Sequence, residues 1–362
     1  MTLFDRYIGI DYSGAKSPSE SVKGLRVYVA APGAAPSEVL PPPSPRTYWS
    51  RREVAEWLVT QLSGGERILV GIDHGFSFPL AYFDKYRIPH TWPAFLDDFQ
   101  KHWPTDGEHL YVDFVRDGLH GDAAARKGNS RWRRVTEQRC GSAKSVFHFD
   151  VPGQVAKSTH AGIPWLRYIR RKIGAKVHFW PFDGWGPPDG KSVIAEVYPR
   201  LWKGLCPFPD LTEDQQDAFS VAAWMQREDH AGSLPGHFAP ALPDEDRALA
   251  EIEGWILGLS AEDPRRDQRR ERKRDGRRER SRSEEAHCAE CHIRRDSTGL
   301  AWIDDTGVTV AEVAHQWTQA DEDATALYDA LPTLSRGQIH AALAYYYDQV
   351  DLIAEELAAR RS

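Results

Sequence analysis

Two short apolar runs constrain this chain more than any other feature. "YIGIDYSG" (7–14) and "LVGIDHGFSFP" (69–79) each climb through hydrophobic residues into Gly-Ile-Asp, then break into small or polar turn formers. Between them lies "SRREVAEWLVTQLSGG", where Ser50 and Glu53 stand in capping-box spacing and the Gly64-Gly65 pair closes a helix. A helix of that length between two buried strands predicts a crossover, and hence parallel neighbours. Asp11 and Asp73 then fall at the carboxyl ends of adjacent strands, where catalytic groups collect in open α/β sheets.

Three further strands are predicted: "GLRVYVAA" (24–31), "KVHFWPF" (176–182) and "SVIAEVYP" (192–199), the last carrying Glu196 near its end. A helix over 158–172 is expected with Ser158 as its cap, and a last helix of the globular part over 244–258. "LTEDQQDAFSVAAWMQRED" has Thr212 and Gln215 in capping-box spacing, which puts Asp214 and Asp217 on one helix face near its N-terminus.

Taken singly, each of these acids also suits a turn or a helix cap. Together, Asp11, Asp73, Glu196, Asp214 and Asp217 all sit at strand exits or a helix start. Carboxylates crowded there raise one another's pKa unless cations neutralise them. Oxygen-only ligands suit Mg²⁺ or Mn²⁺. Two such ions about 4 Å apart activate water and stabilise a leaving oxygen in phosphodiester cleavage.

The net charge of −7 excludes a uniformly basic nucleic-acid coat, although local basic stretches remain. Hydrophobic content of 41% suits a globular protein, and no run of about 18 apolar residues suggests a membrane span. The N-terminus lacks a signal-peptide pattern, and four cysteines in 362 residues are no disulfide framework, so a cytoplasmic protein without a membrane partner is expected.

Several stretches admit two readings. "GQVAKSTHAGIPW" (153–165) sets Lys157, Ser158 and Thr159 before or at a helix start, where they would hold a phosphate or simply cap the helix. Its spacing is not that of a P-loop. "ARKGNSRWRRVTEQR" (125–139), with Lys144 close behind, offers Arg131 and Trp132 to a nucleic-acid backbone or is a solvated face. Residues 264–283 carry eleven basic and four acidic side chains and no core formers, which reads as a charged linker over 261–285. "HCAECH" (287–292) brings Cys288 and Cys291 between two histidines, at a spacing that would strain a zinc site. A small module then spans 286–362, with a hairpin signal in "LAWIDDTGVTV" and a final helix capped by Ser335 and Gln338. Self-association through Tyr345–Tyr347 is one expectation for it.

In order, "YIGIDYSGA", "VGIDHGFSFP", "GQVAKSTHAGIPWLR", "HFWPFDGW", "IAEVYPRLW" and "DQQDAFSVAAW" resemble the predicted-nuclease family of RNase H fold, domain-of-unknown-function family 429. The resemblance covers roughly residues 5–258. It implies an RNase H-like domain over 1–260: a mixed five-stranded sheet flanked by helices with a large insertion. It also implies metal-ligand places for Asp11, Asp73, Glu196 and Asp217, with Asp214 as a fifth, and nucleic acid as partner. On that basis Asp11 bridges two metals, Asp73 and Glu196 hold one, and Asp214 and Asp217 the other. His74 or metal-bound water handles the proton. The tail (294–357) resembles a second uncharacterised family, number 433, seen in antitoxin-like proteins with helix-turn-helix character. Two alternatives stay open: an actin/sugar-kinase-like phosphotransferase sharing the Asp-x-x-Gly strand exit, and a non-catalytic nucleic-acid-binding or toxin–antitoxin-type regulator.

Overall fold

Strand parity organises the larger part of the molecule. In β1 (Arg6–Asp11) and β4 (Ile68–Asp73), Ile8, Ile10, Val70 and Ile72 point into one apolar cluster, while Tyr7 and Leu69 point into another on the opposite face. A sheet buried on both sides explains why these strands read as continuous hydrophobic runs rather than as alternating ones.

The structure is a computed structural model that describes residues 2–41, 47–149, 155–208, 210–260, 293–296, 300–303, 306–319, 324–349 and 353. The chain divides into two compact units, 1–269 and 270–362. The predicted 261–285 linker and the Cys288/Cys291 pair with His287 and His292 lie outside the described residues.

Unit one is mixed α/β. Six strands form one sheet in the order β3-β2-β1-β4-β6-β5, with β2 (Arg26–Ala30), β3 (Ser37–Glu38), β5 (Val177–Trp180) and β6 (Ser192–Glu196) completing it. β1 runs parallel to β4, β4 to β6 and β6 to β5, whereas β2 is antiparallel to both β1 and β3. The parallel pairing expected across the helix holds, with Asp11 in register with Asp73. The sixth strand, β3, is two residues long, too short for any alternation to announce it.

On one face, α1 (Arg51–Leu62) packs against α6 (Val155–Ile173). The Ser50–Glu53 capping box forms, and the helix ends at Leu62, with Ser63 rather than the Gly pair as its cap. On the other face lies α7 (Glu213–His230), whose Thr212–Gln215 box also forms. It approaches so closely that a Cβ on Gly9 would lie 2.3 Å from the Ala218 carbonyl oxygen, and one on Gly71 2.8 Å from Val197 and Val221 methyls. Gly9 and Gly71 are register partners and form a furrow for the helix.

Helix α6 starts at Val155, so Ser158 is inside it rather than its cap; the Ser158 hydroxyl donates to the Val155 carbonyl at 3.1 Å. Pro164 sits mid-helix and cannot donate to the carbonyl of His160. Thr105 supplies the missing donor, its hydroxyl 2.5 Å from that oxygen.

Between β4 and α6 the chain inserts α2 (Leu80–Tyr86), α3 (Trp92–His102), α4 (Val112–Arg116) and α5 (Val135–Cys140). Their core is aromatic: Phe78 touches the rings of Tyr82, Phe95, Phe99 and Phe147 at 4.5–5.6 Å between centroids. After α7 come α8 (Leu234–Phe238) and α9 (Asp244–Glu253). The helix expected to reach 258 stops at Gly254, φ +84°, and Trp255, Ile256 and Leu257 run on as buried chain outside it.

Unit two pairs β7 (Ile293–Arg295) with β8 (Ala301–Ile303) antiparallel, so the hairpin partner of "AWI" precedes it, and Thr309 adds only a bridge to Trp302. Three helices follow, α10 (Val310–Gln319), α11 (Ala324–Ala330) and α12 (Arg336–Asp348). The Ser335–Gln338 box caps α12, and Ile339, Ala342 and Leu343 of its stripe are buried with Val310, Ala314 and Leu327.

Candidate active site

Odd positions in β1 and β4 face α7, so Asp11 and Asp73 project toward that helix from adjacent strand ends. The Thr212 cap starts α7 nearby and places Asp214 and Asp217 one turn apart. All four aspartates line one cleft of about 690 Å³, together with Lys16, Asp113, Lys157, Tyr198 and Glu213.

The electrostatics are those of a crowded acid cluster. Burial, first, then Asp73, Asp214 and Asp217, push the Asp11 carboxyl well above the ordinary range. Burial, then Asp217 and Glu196, raise Asp73 in the same way. Asp217 is raised by burial and by Glu213 and Asp214, against the pull of Lys203. Among the described residues no three acid, His or Cys side chains are already gathered as a metal cage. Burial and mutual repulsion thus favour the neutral forms of Asp11 and Asp73.

Glu196 departs from the expectation. It is in register with Ile72, not Asp73, and therefore emerges on the opposite face of the sheet. There Arg134 grips it with two nitrogens, 2.7 and 2.6 Å from Oε2 and Oε1, and the Phe76 N–H donates to Oε2 at 3.0 Å. Arg134 also donates to Glu137 at 2.8 Å, making a buried triad whose arginine stays charged against its burial because both carboxylates face it. Glu196 does not line the cleft, so the structure does not bring it together with the four aspartates as expected. Glu253, buried alongside, accepts from the Leu80 and Val135 N–H groups and pins two insert helices.

His74 is buried and cannot serve the cleft as a proton carrier. Its ring packs on Gly162 and edge-on to Tyr12 at 4.6 Å; Nδ1 donates to the Gly75 carbonyl, and burial presses its pKa to about 4. The Lys157-Ser158-Thr159 trio divides. Lys157 and Ser158 line the cleft, with Lys157 Nζ 2.8 Å from Asp113 Oδ2. Thr159 is fully buried and accepts from the Gly75 N–H at 2.9 Å, locking the turn after β4 onto α6.

Arg131, Trp132 and Lys144 lie away from the carboxylates. Trp132 packs edge-on to Phe147 with Lys85 5.3 Å over its ring, Arg131 is exposed, and Lys144 lines a separate groove with Arg133, His148 and Arg200.

Sequence reading missed Arg51 and Arg134. Arg51 is fully buried and donates to the carbonyls of Ser13, Ala15 and Lys16 at 2.5–3.3 Å, holding the loop that forms one cleft wall. Gly14 in that loop would place a Cβ 2.2 Å from the Lys157 carbonyl, so β1's exit and α6's first turn meet backbone to backbone. For Arg134 the available signal was Glu137 three residues on; for Arg51 nothing local distinguished it from a surface residue.

Comparison with known proteins adds little to this geometry. Residues 297–346 match a family described as a protein of unknown function, DUF433, in agreement with the resemblance of the tail. No curated protein and no solved structure matches the chain.

Proposed function

We propose that residues 1–260 are an RNase H-like, divalent-metal-dependent nuclease that hydrolyses phosphodiester bonds of DNA or RNA. The observation that carries this reading is the convergence of Asp11 and Asp73, from register-matched ends of parallel strands, with Asp214 and Asp217 of the covering helix in one open cleft. A sheet in which a three-stranded antiparallel meander, β1 to β3, is followed by the parallel strands β4, β5 and β6 also supports it.

The residues fit Mg²⁺ or Mn²⁺ by donor chemistry: all four are oxygen ligands whose mutual repulsion raises Asp11 and Asp73, and a cation would relieve it. Asp11, Asp73, Asp214 and Asp217 would hold the metal, which when bound supplies Lewis-acid activation of water and stabilisation of the leaving oxygen. The chain's own groups do the rest. Lys16 and Lys157 bring positive charge to the same cleft and orient the phosphodiester. Arg51 holds the loop that forms one wall.

Cleavage of single-stranded, duplex and branched substrates with Mg²⁺ or Mn²⁺ tests this. Equal rates for wild type and Asp11→Asn would remove the cluster from catalysis.

A further inference from the structure

The carboxylate cleft by itself repels a polyanion. Six carboxyl groups line it against two lysines, and one of those, Lys157, already lies 2.8 Å from Asp113. A nucleic-acid strand held there needs positive charge from a neighbouring surface, because phosphate neutralisation supplies most of its affinity.

A groove of about 400 Å³ offers that charge. Arg133, Lys144, His148 and Arg200 line it with Ser130 and Ser142, and no described acid does. In a chain of net charge −7 a lining of one sign runs against the average. Arg133 is half-buried and donates to the Glu137 and Ala143 carbonyls at 2.5 and 2.6 Å, which fixes the wall without cancelling the charge. The Ser145 hydroxyl donates to the Trp132 carbonyl at 2.6 Å and accepts from the Phe147 N–H at 3.2 Å, holding the turn next to Lys144. Lys144 and Arg200 are exposed, and neither is ion-paired with a described residue. A single exposed cation is ordinary; three around one groove, two of them on a braced backbone, make a field that a repeating anion would follow.

One tyrosine joins groove and cleft. Tyr198 lines the cleft, and its hydroxyl donates to the carbonyl of Ser142, a groove residue, at 3.4 Å. Arg200, two residues on, acts on the same hydroxyl. A strand with one phosphate among the aspartates therefore has further phosphates to place beside Tyr198. The guanidinium of Arg200 suits phosphate oxygens as a fork, and Lys144 as a point charge. Adjacency to the aspartates favours a phosphodiester backbone over an acidic protein segment.

We propose that this groove holds the backbone of the nucleic-acid strand whose scissile phosphate lies among the aspartates, with Lys144 and Arg200 each on a phosphate. The identity of the ligand rests on the nuclease reading; occupancy of the groove is measured without catalysis.

The eleven basic side chains of 264–283 attract any polyanion, so the test needs a local readout. Lysine acetylation of full-length protein in EDTA, followed peptide by peptide by mass spectrometry, provides one. A saturating single-stranded oligodeoxynucleotide should slow acetylation of Lys144 roughly five-fold or more at low salt, and the protection should vanish at high salt. Lys172, in the last turn of α6 and about 22 Å along it from Lys157, should stay within two-fold. In anisotropy with the same strand labelled, Lys144→Ala and Arg200→Ala should each flatten the slope of log affinity against log salt by about 0.7, whereas Lys172→Ala should not. Both replaced side chains are exposed, so folding is spared. Lys144 protected no more than Lys172, or a Lys144→Ala/Arg200→Ala variant with the wild-type slope, overturns the groove. Polyglutamate protecting Lys144 as well as the strand does would make this a face for an acidic protein and also overturns the assignment. Strand protection of Lys144 without metal-dependent cleavage keeps the groove and removes the hydrolytic reading. Cleavage abolished by Asp11→Asn, with Lys144 unprotected, does the reverse.

Discussion

Replacing Arg134 by methionine should be among the most damaging single changes in the molecule. The side chains of Arg134, Glu137 and Glu196 are 2%, 0% and 4% exposed. The substitution deletes three charge-assisted hydrogen bonds of 2.6–2.8 Å and strands two carboxylates away from water. Breaking a buried ion pair by removing one partner costs about 3–5 kcal/mol. In a unit of this size that corresponds to a fall in Tm of roughly 6–20 °C. Urea unfolding followed by tryptophan fluorescence, with thermal melts alongside, measures it. Most of the loss comes from uncompensated charge, so Arg134→Met/Glu137→Gln/Glu196→Gln should recover at least half of it. The reasoning is refuted if Arg134→Met costs less than about 1 kcal/mol, the scale of an exposed pair, or if the triple variant recovers nothing. Glu196→Gln separates the two roles considered for that residue. As a positioning residue it should keep metal-stimulated cleavage within about ten-fold, while Asp73→Asn should lose roughly a hundred-fold or more.

Three other outcomes follow from the same geometry. Asp11→Asn should abolish cleavage yet stabilise the metal-free protein: Asp11 is raised on folding, so its penalty is absent below the unfolded pKa of about 3.9 and grows as pH rises through the folded value; Mg²⁺ should raise the Tm of wild type and not of the variant. His74 and His160, held near 4 and 3, refuse a proton that the unfolded chain accepts at about 6.5, so stability should fall as pH drops from 6.5 toward 4, by on the order of 3 kcal/mol for His74 alone; urea melts at pH 7 and 5 that coincide would contradict this. Gly9→Ala should cost about 3 kcal/mol by driving a methyl into the α7 backbone, whereas Gly65→Ala, with open space around it, should be near neutral in the same assay.

What the chain revealed of itself in advance was whatever is encoded locally. Ser50–Glu53, Thr212–Gln215 and Ser335–Gln338 are short-range signals, and all three boxes form where their spacing placed them. The Gly-Ile-Asp repeats marked parallel strands because both faces of β1 and β4 are buried and the crossover helix is long enough. Glu196 falls outside the cleft because a strand end shows in sequence, but its phase relative to a neighbour does not. One residue of register moves a side chain through the sheet, and Ile72, not Asp73, is its partner. The Ser158 cap failed because α6 begins three residues earlier. Arg134 was hidden in a basic stretch whose other members are exposed or half-buried, since burial of an arginine depends on two glutamates, one of them 62 residues away.

The Gly9–Gly71 furrow reaches beyond packing. With Gly9 and Gly71 side by side, α7 rests on two positions that have no side chain at all. The depth at which the helix is seated is then a gauge set by backbone alone, insensitive to rotamer changes. Because two of the four aspartates ride on that helix and two on the strands beneath, the same gauge spaces the acids. Methyl-sized substitutions in the furrow, two residues back from Asp11 and Asp73, offer a graded way to widen the gap between the two pairs without replacing a carboxylate.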